Sequence, residues 1–167
     1  FLTAGTALGQ LVVLLASPVL TRLFSPANFG EFAVFMSILG VLGPLATLRY
    51  ELALIVSEKE RDALSLFRIS LVVCLIFSLF VTLLLLMGVA DRLAYLNVSN
   101  LRENFWIMPI AVLMFGTFQI FIFCCNRQKQ FDEIAKARFL QGAANVAASI
   151  FFGMIWRDGL GLLMGYV

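Results

Sequence analysis

Two charges stand inside a long apolar run. Arg49 and Glu51 interrupt a stretch that is uncharged from Phe32 to Leu48 and again from Leu52 to Val56. A guanidinium presents its donors in a planar fork and gives two parallel hydrogen bonds to a phosphate or carboxylate. A carboxylate accepts such bonds or takes up a proton. Positions i and i+2 of a helix do not face each other, so Arg49 and Glu51 are not expected to pair, and each needs a partner elsewhere. Two readings stay open. In one, they anchor the helix at the membrane interface or form inter-helix ion pairs. In the other, Arg49 lines a water-filled cavity and meets an anionic substrate, since a charge within hydrocarbon marks a functional position.

Three amides join them as candidate binding residues: Gln10, Gln141 and Asn145. Thr3, Thr6, Gln10, Ser17 and Thr21 fall close to one face of the first apolar segment, and Gln141, Asn145 and Ser149 follow at i, i+4 spacing on a later one. Such stripes turn away from lipid. They either hydrogen-bond between helices or line a polar path.

Other chemistries lack their residues. With no histidine, the chain has neither the commonest general base nor the commonest metal ligand. Cys74, Cys124 and Cys125 sit in apolar runs without metal-ligand spacing and read as small hydrophobes. There is no glycine-rich phosphate loop, no nucleophile with a histidine base and no carboxylate cluster. No catalytic residue, metal or cofactor is therefore assigned, and the chain is not expected to be an enzyme. A net charge of +2 gives no basic footprint for nucleic acid.

The elements that position these residues follow from composition. The 167 residues are 62% hydrophobic and 13% charged, about half the charge that a soluble surface needs. Lipid is the solvent this predicts. Spanning helices take roughly 20 apolar residues, and such segments lie at about 1–22, 29–56, 67–90, 105–126 and 137–156, with a further one opening at 159–167. The fold class is all-α: a polytopic transmembrane helix bundle of five full helices plus the start of a sixth, forming a single domain over residues 1–167. Barrel strands alternate apolar and polar residues, whereas Leu71–Leu86 is apolar on every side. Gly40, Gly43 and Pro44 predict a bend in the second segment. Gly5 and Gly9 make a GxxxG pattern, and Gly142, Ala143, Ala144, Ala147 and Ala148 smooth the fifth segment for close packing. A chain that opens at Phe1 and stops at Val167, both within apolar runs, reads as a piece of a longer one.

Arginine and lysine orient the bundle, because they are retained on the cytoplasmic side. Lys59, Arg61, Arg68, Arg127, Lys129, Lys136 and Arg138 flank the second and fourth loops and outnumber Arg22, Arg92, Arg102 and Arg157 around the others. The N-terminus is thus expected in the cytoplasm. Trp106 and Trp156 then fall at the outer interface. Loops are expected at 23–30, 57–62, 91–104 and 127–138, with a tight turn at Arg157-Asp158-Gly159. Asn97-Val98-Ser99 matches a glycosylation acceptor, a triplet common by chance.

The run Thr21-Arg22-Leu23-Phe24-Ser25-Pro26-Ala27-Asn28-Phe29-Gly30 resembles the junction between the first two helices of the Wzx-type oligosaccharide flippases, polysaccharide biosynthesis proteins of the multidrug/oligosaccharidyl-lipid/polysaccharide exporter superfamily. Leu48-Arg49-Tyr50-Glu51-Leu52-Ala53-Leu54-Ile55-Val56 is similar to the end of that family's second helix, and Arg138-Phe139-Leu140-Gln141, Gly159-Leu160-Gly161 and Gly165-Tyr166 extend the likeness. The resemblance implies two six-helix bundles, of which this chain is most of the first. It implies movement of undecaprenyl-diphosphate-linked oligosaccharide across the bacterial cytoplasmic membrane by alternating access, driven by an ion gradient, in the assembly of surface polysaccharide such as O-antigen and lipopolysaccharide. Partners implied are the bilayer, the lipid-linked oligosaccharide and polysaccharide polymerase machinery. Arg49 is the position to which the likeness gives a diphosphate-binding role. The alternatives are an exporter of small organic cations from the same superfamily and a non-transporting membrane assembly subunit.

Overall fold

The computed structural model describes residues 2–57, 59–88, 104–155 and 160–166. Among them are seven α-helices and one 3₁₀ turn: α1 (Leu2–Leu23), α2 (Pro26–Ala46), α3 (Tyr50–Val56), α4 (Glu60–Leu86), the 3₁₀ turn (Phe105–Ile107), α5 (Met108–Arg127), α6 (Phe131–Ile155) and α7 (Leu160–Tyr166). No strand occurs among the described residues, and the expected all-α class stands.

Three of the expected loops, at 23–30, 57–62 and 127–138, shorten because polar residues start helices there; most of 91–104 lies outside the described residues. The α1–α2 junction is only Phe24–Ser25. The Asn28 N–H donates to Ser25 Oγ at 3.3 Å, and Pro26 takes the first helical position, where its missing N–H costs nothing. Glu60 and Asp62 open α4, and Asp132 and Glu133 open α6, where acidic side chains complement the helix dipole. Asn97, Trp156 and the 157–159 turn lie outside the described residues.

The second segment is not the bent helix expected from Gly40, Gly43 and Pro44. It is broken. α2 ends at Ala46, and α3 restarts at Tyr50. Between them Leu48 and Arg49 take φ of 48° and 60°, the left-handed region that non-glycine residues enter at a cost of about 1–3 kcal/mol each. Leu48 N–H donates to the Leu45 carbonyl at 3.1 Å, Tyr50 to Thr47 at 3.0 Å and Leu52 to Arg49 at 3.0 Å. Three-residue turns therefore replace the α-helical ladder at the break.

Among the described residues, three helical stretches are long and apolar enough to cross a membrane: Pro26–Ala46, Glu60–Leu86 and Phe105–Arg127. α4 shows why lipid is their solvent. Its buried stripe is mostly small or weakly polar, Ala63, Ser70, Cys74, Ser78 and Val81, while Val72, Leu75, Ile76, Leu79, Leu83 and Leu86 are exposed. A soluble helix buries its large apolar side chains. Here they face outward and the small ones meet the neighbouring helix, the pattern of packing within a bilayer.

The chain forms two compact units, residues 1–35 with 130–167, and residues 36–129. In the first unit α1 packs on α6, and α6 on α7. Ala16, Leu20, Phe24 and Leu162 make its core, with Leu23, Phe29, Phe32, Val146 and Ile150 around them. The Phe24 ring fills the space that Gly153 leaves open, where a Cβ would lie 2.5 Å from Phe24 Cζ. In the second unit α3, α4 and α5 pack against one another. Gly43 near the end of α2 accommodates the Phe115 ring, and Gly116 of α5 accommodates the Cys74 sulfur.

Candidate functional site

The helix break sends its two charges in opposite directions. Arg49 is exposed, and its guanidinium has no hydrogen bond or ion pair with any described residue. Glu51 is 4% exposed, at the start of α3, and its Oε2 has no hydrogen-bond partner among the described residues. The two do not pair, as the i, i+2 spacing predicted.

Glu51 has unusual company. Thr47, the first residue of the break, is 1% exposed, and its Oγ1 also lacks a partner. A Cβ on Gly116 would meet Cys74 Sγ at 2.5 Å and Thr47 Cγ2 at 3.6 Å, so Thr47 and Cys74 converge on that glycine. The Glu51 carboxyl lies within electrostatic reach of the Cys74 thiol. Orphaned buried oxygens each cost about 1–3 kcal/mol, and more for a charge, so this cluster is held in place by its surroundings.

Hydrogen bonds between helices fix those surroundings. Ser78 Oγ donates to the Pro109 carbonyl at 2.9 Å, and Cys74 Sγ to the Leu113 carbonyl at 3.9 Å, tying α4 to α5. Arg127 donates from Nε and Nη2 to the Ser57 carbonyl at 3.4 and 3.2 Å. That pair of bonds ties the end of α5 to the end of α3. Ser70 and Thr117 instead satisfy their hydroxyls within their own helices, on the carbonyls of Leu66 and Leu113.

The amides lie in the other unit. Gln10 on α1 is exposed, and Gln141 and Asn145 on α6 are half-buried. None of the three hydrogen-bonds to another described residue. Ser17 is exposed, and Thr21 bonds back to the Pro18 carbonyl at 3.1 Å. Ser149 is buried beneath Gly165 of α7.

Sequence reasoning missed Thr47 of the buried cluster, and Glu31 and Arg127 as site residues. Glu31 is 7% exposed with Oε2 unpartnered among the described residues. It lies inside the expected second segment and was not singled out; the Ser25 cap and Pro26 place it in the second turn of α2. Arg127 was read only as a topology marker. No group of three or more histidine, cysteine or acidic residues with metal-binding geometry occurs among the described residues.

A family model described as "Polysaccharide biosynthesis protein" matches residues 19–167. The chain belongs to the polysaccharide biosynthesis protein family. The match takes in both charges, the break between α2 and α3, Gln141 and Asn145, and it begins after Gln10. Membership gives the chain a role in polysaccharide biosynthesis. The runs at residues 21–30 and 48–56 that resemble the oligosaccharide flippases lie within the match. No curated protein and no solved structure matches the chain.

Proposed function

We propose that this polysaccharide biosynthesis protein contributes one bundle of a flippase. The flippase moves undecaprenyl-diphosphate-linked oligosaccharide from the cytoplasmic to the outer leaflet of a bacterial inner membrane. The observation that carries this reading is the break at Thr47–Arg49. Transporters bind substrate and coupling ion at discontinuous helices, and strained backbone persists where function requires it.

The parts divide the work by chemistry. Arg49, exposed and uncommitted, offers a two-pronged donor to the diphosphate. Gln10, Gln141 and Asn145 offer amides to sugar hydroxyls. Glu51 does not touch substrate while it is buried; it exchanges a proton. A divalent metal ion needs a shell of several oxygens, whereas a proton needs one acceptor. Among the described residues, the cluster leaves one carboxyl oxygen and one hydroxyl without a hydrogen bond, Glu51 Oε2 and Thr47 Oγ1. Taking up a proton removes the charge that hydrocarbon penalises, and releasing it restores that charge. The movement of Glu51 between buried and hydrated states is thereby coupled to a proton gradient. In this topology α1 and α6 also span, and the N-terminus lies in the cytoplasm. The exposed charge at the break is basic, which disfavours an exporter of organic cations.

Export in cells tests the role of Arg49. Arg49→Ala in the full-length protein abolishes surface polysaccharide, and Arg49→Lys preserves part of it, both at unchanged abundance in the membrane. Full export by the alanine variant would rule the role out.

A further inference from the structure

Glu51 lies one turn inward of Leu54 on α3, and Leu54 lines a cleft. The cleft, about 350 Å³, opens at the ends of α3, α4 and α5. Leu54, Ala63, Phe67, Phe121 and Cys124 make its apolar wall, and Glu60, Arg127 and Gln128 its polar side. The Arg127–Ser57 bonds hold two of the three helix ends in place.

The register of each helix leads inward from this cleft. On α3, Leu54 and Glu51 are three residues apart and both buried, so they share one face. On α4, the stripe that begins at Ala63 and Phe67 continues to Ser70 and Cys74, both fully buried. On α5, the wall formed by Cys124 and Phe121 continues to Ile120 and Gly116, and Gly116 touches Cys74. One turn inward on α3, and about two turns inward on α4 and α5 past Ser70 and Ile120, the three helices converge on the space holding Glu51, Cys74 and Thr47. Leu54 lines the cleft and is itself only 1% exposed.

The geometry points to a plugged entry route: the cleft is the outer end of a path for water and protons to Glu51, and Leu54 is the side chain that closes it. This inference rests on the reading of Glu51 as the proton-exchanging group. When the plug withdraws, hydronium gives its proton to a Glu51 carboxylate oxygen and leaves water; release runs in reverse. The titratable groups along the route are few. α4 contributes Cys74 beside Glu51 and Glu60 at the cleft. α5 contributes Cys124 and Arg127 at the cleft, and none between Gly116 and Phe123. Among the described residues, no carboxylate lies between the cleft and Glu51, and the Cys74 thiol stands beside Glu51. The cleft lies on the side of the 57–59 and 128–130 connections, the side that the basic residues assign to the cytoplasm.

Cys74 is a built-in reporter for the path. The test uses full-length protein in inside-out membrane vesicles, with every cysteine but Cys74 replaced and a small methanethiosulfonate reagent added outside. Cys74 is expected to label slowly in the wild-type background and at least tenfold faster in Leu54→Ala. Refilling the cleft with Ala63→Trp in the Leu54→Ala background restores protection. An equal rate in Leu54→Ala and wild type would overturn the plug. So would rapid labelling that persists after the cleft is refilled, because that outcome reports a loosened bundle rather than a route. The labelling reads access alone. Failure of the proton reading would appear separately, as a Glu51→Gln variant that still responds to pH.

Discussion

The two units of this chain solve the same packing problem in different ways. Both bring helices together at glycines, but the neighbour at each glycine differs. In the unit of α1, α6 and α7, a Cβ on Gly165 would collide with Ser149 Oγ, and would lie 2.5 Å from its backbone nitrogen and 2.6 Å from its Cα. That contact is backbone against backbone. In the unit of α3, α4 and α5, a Cβ on Gly116 would meet the Cys74 side chain, and beyond it only side-chain carbons of Thr47 and Ala46. The first unit also has a side-chain contact of the second kind, where Gly153 meets the Phe24 ring. The second unit contains the break, the buried Glu51 and the described cleft.

Substitutions at the two glycines can break the comparison. Gly165→Ala should be the most damaging, at about 3 kcal/mol, the upper end of overpacking costs, because backbone rather than a side chain must move. Gly116→Ala should cost about 1–2 kcal/mol, and Cys74→Ala in the same protein should recover most of it, since the pair interacts directly. Thermal unfolding of the full-length protein in lipid nanodiscs reads both. If Cys74→Ala fails to rescue, the contact at Gly116 is no more adjustable than the contact at Gly165. Ser78→Ala gives the smallest effect. Loss of its bond to the Pro109 carbonyl should lower stability by about 0.6 kcal/mol, the usual value for a hydrogen bond between membrane helices. A much larger loss would make the α4–α5 contact depend on that bond rather than on close packing.

Some of this was legible in the sequence for direct physical reasons. Too few charges to cover a water-exposed surface, together with apolar runs of spanning length, led to the helical fold. The i, i+2 spacing separated Arg49 from Glu51. The break itself was hidden, because Leu48 and Arg49 are not residues that favour the left-handed region. Pro44 pointed to a bend three residues too early, and tertiary contacts of Gly43 and Thr47 accompany the true position. Gly116 carries no local signal either, since its role depends on Cys74 from another helix. Glu31 lay within the expected second segment, and nothing in its local sequence marked it as buried.

The central claim is that the break displays Arg49 and buries a proton-exchanging Glu51. It is tested most directly by reconstituting the full-length protein in liposomes with lipid-linked oligosaccharide and measuring transfer between leaflets under an imposed proton gradient. Wild-type transfer should accelerate with the gradient, and Glu51→Gln, which keeps the shape but cannot exchange the proton, should show no response. A Glu51→Gln protein that responds to the gradient as the wild type does would contradict the account.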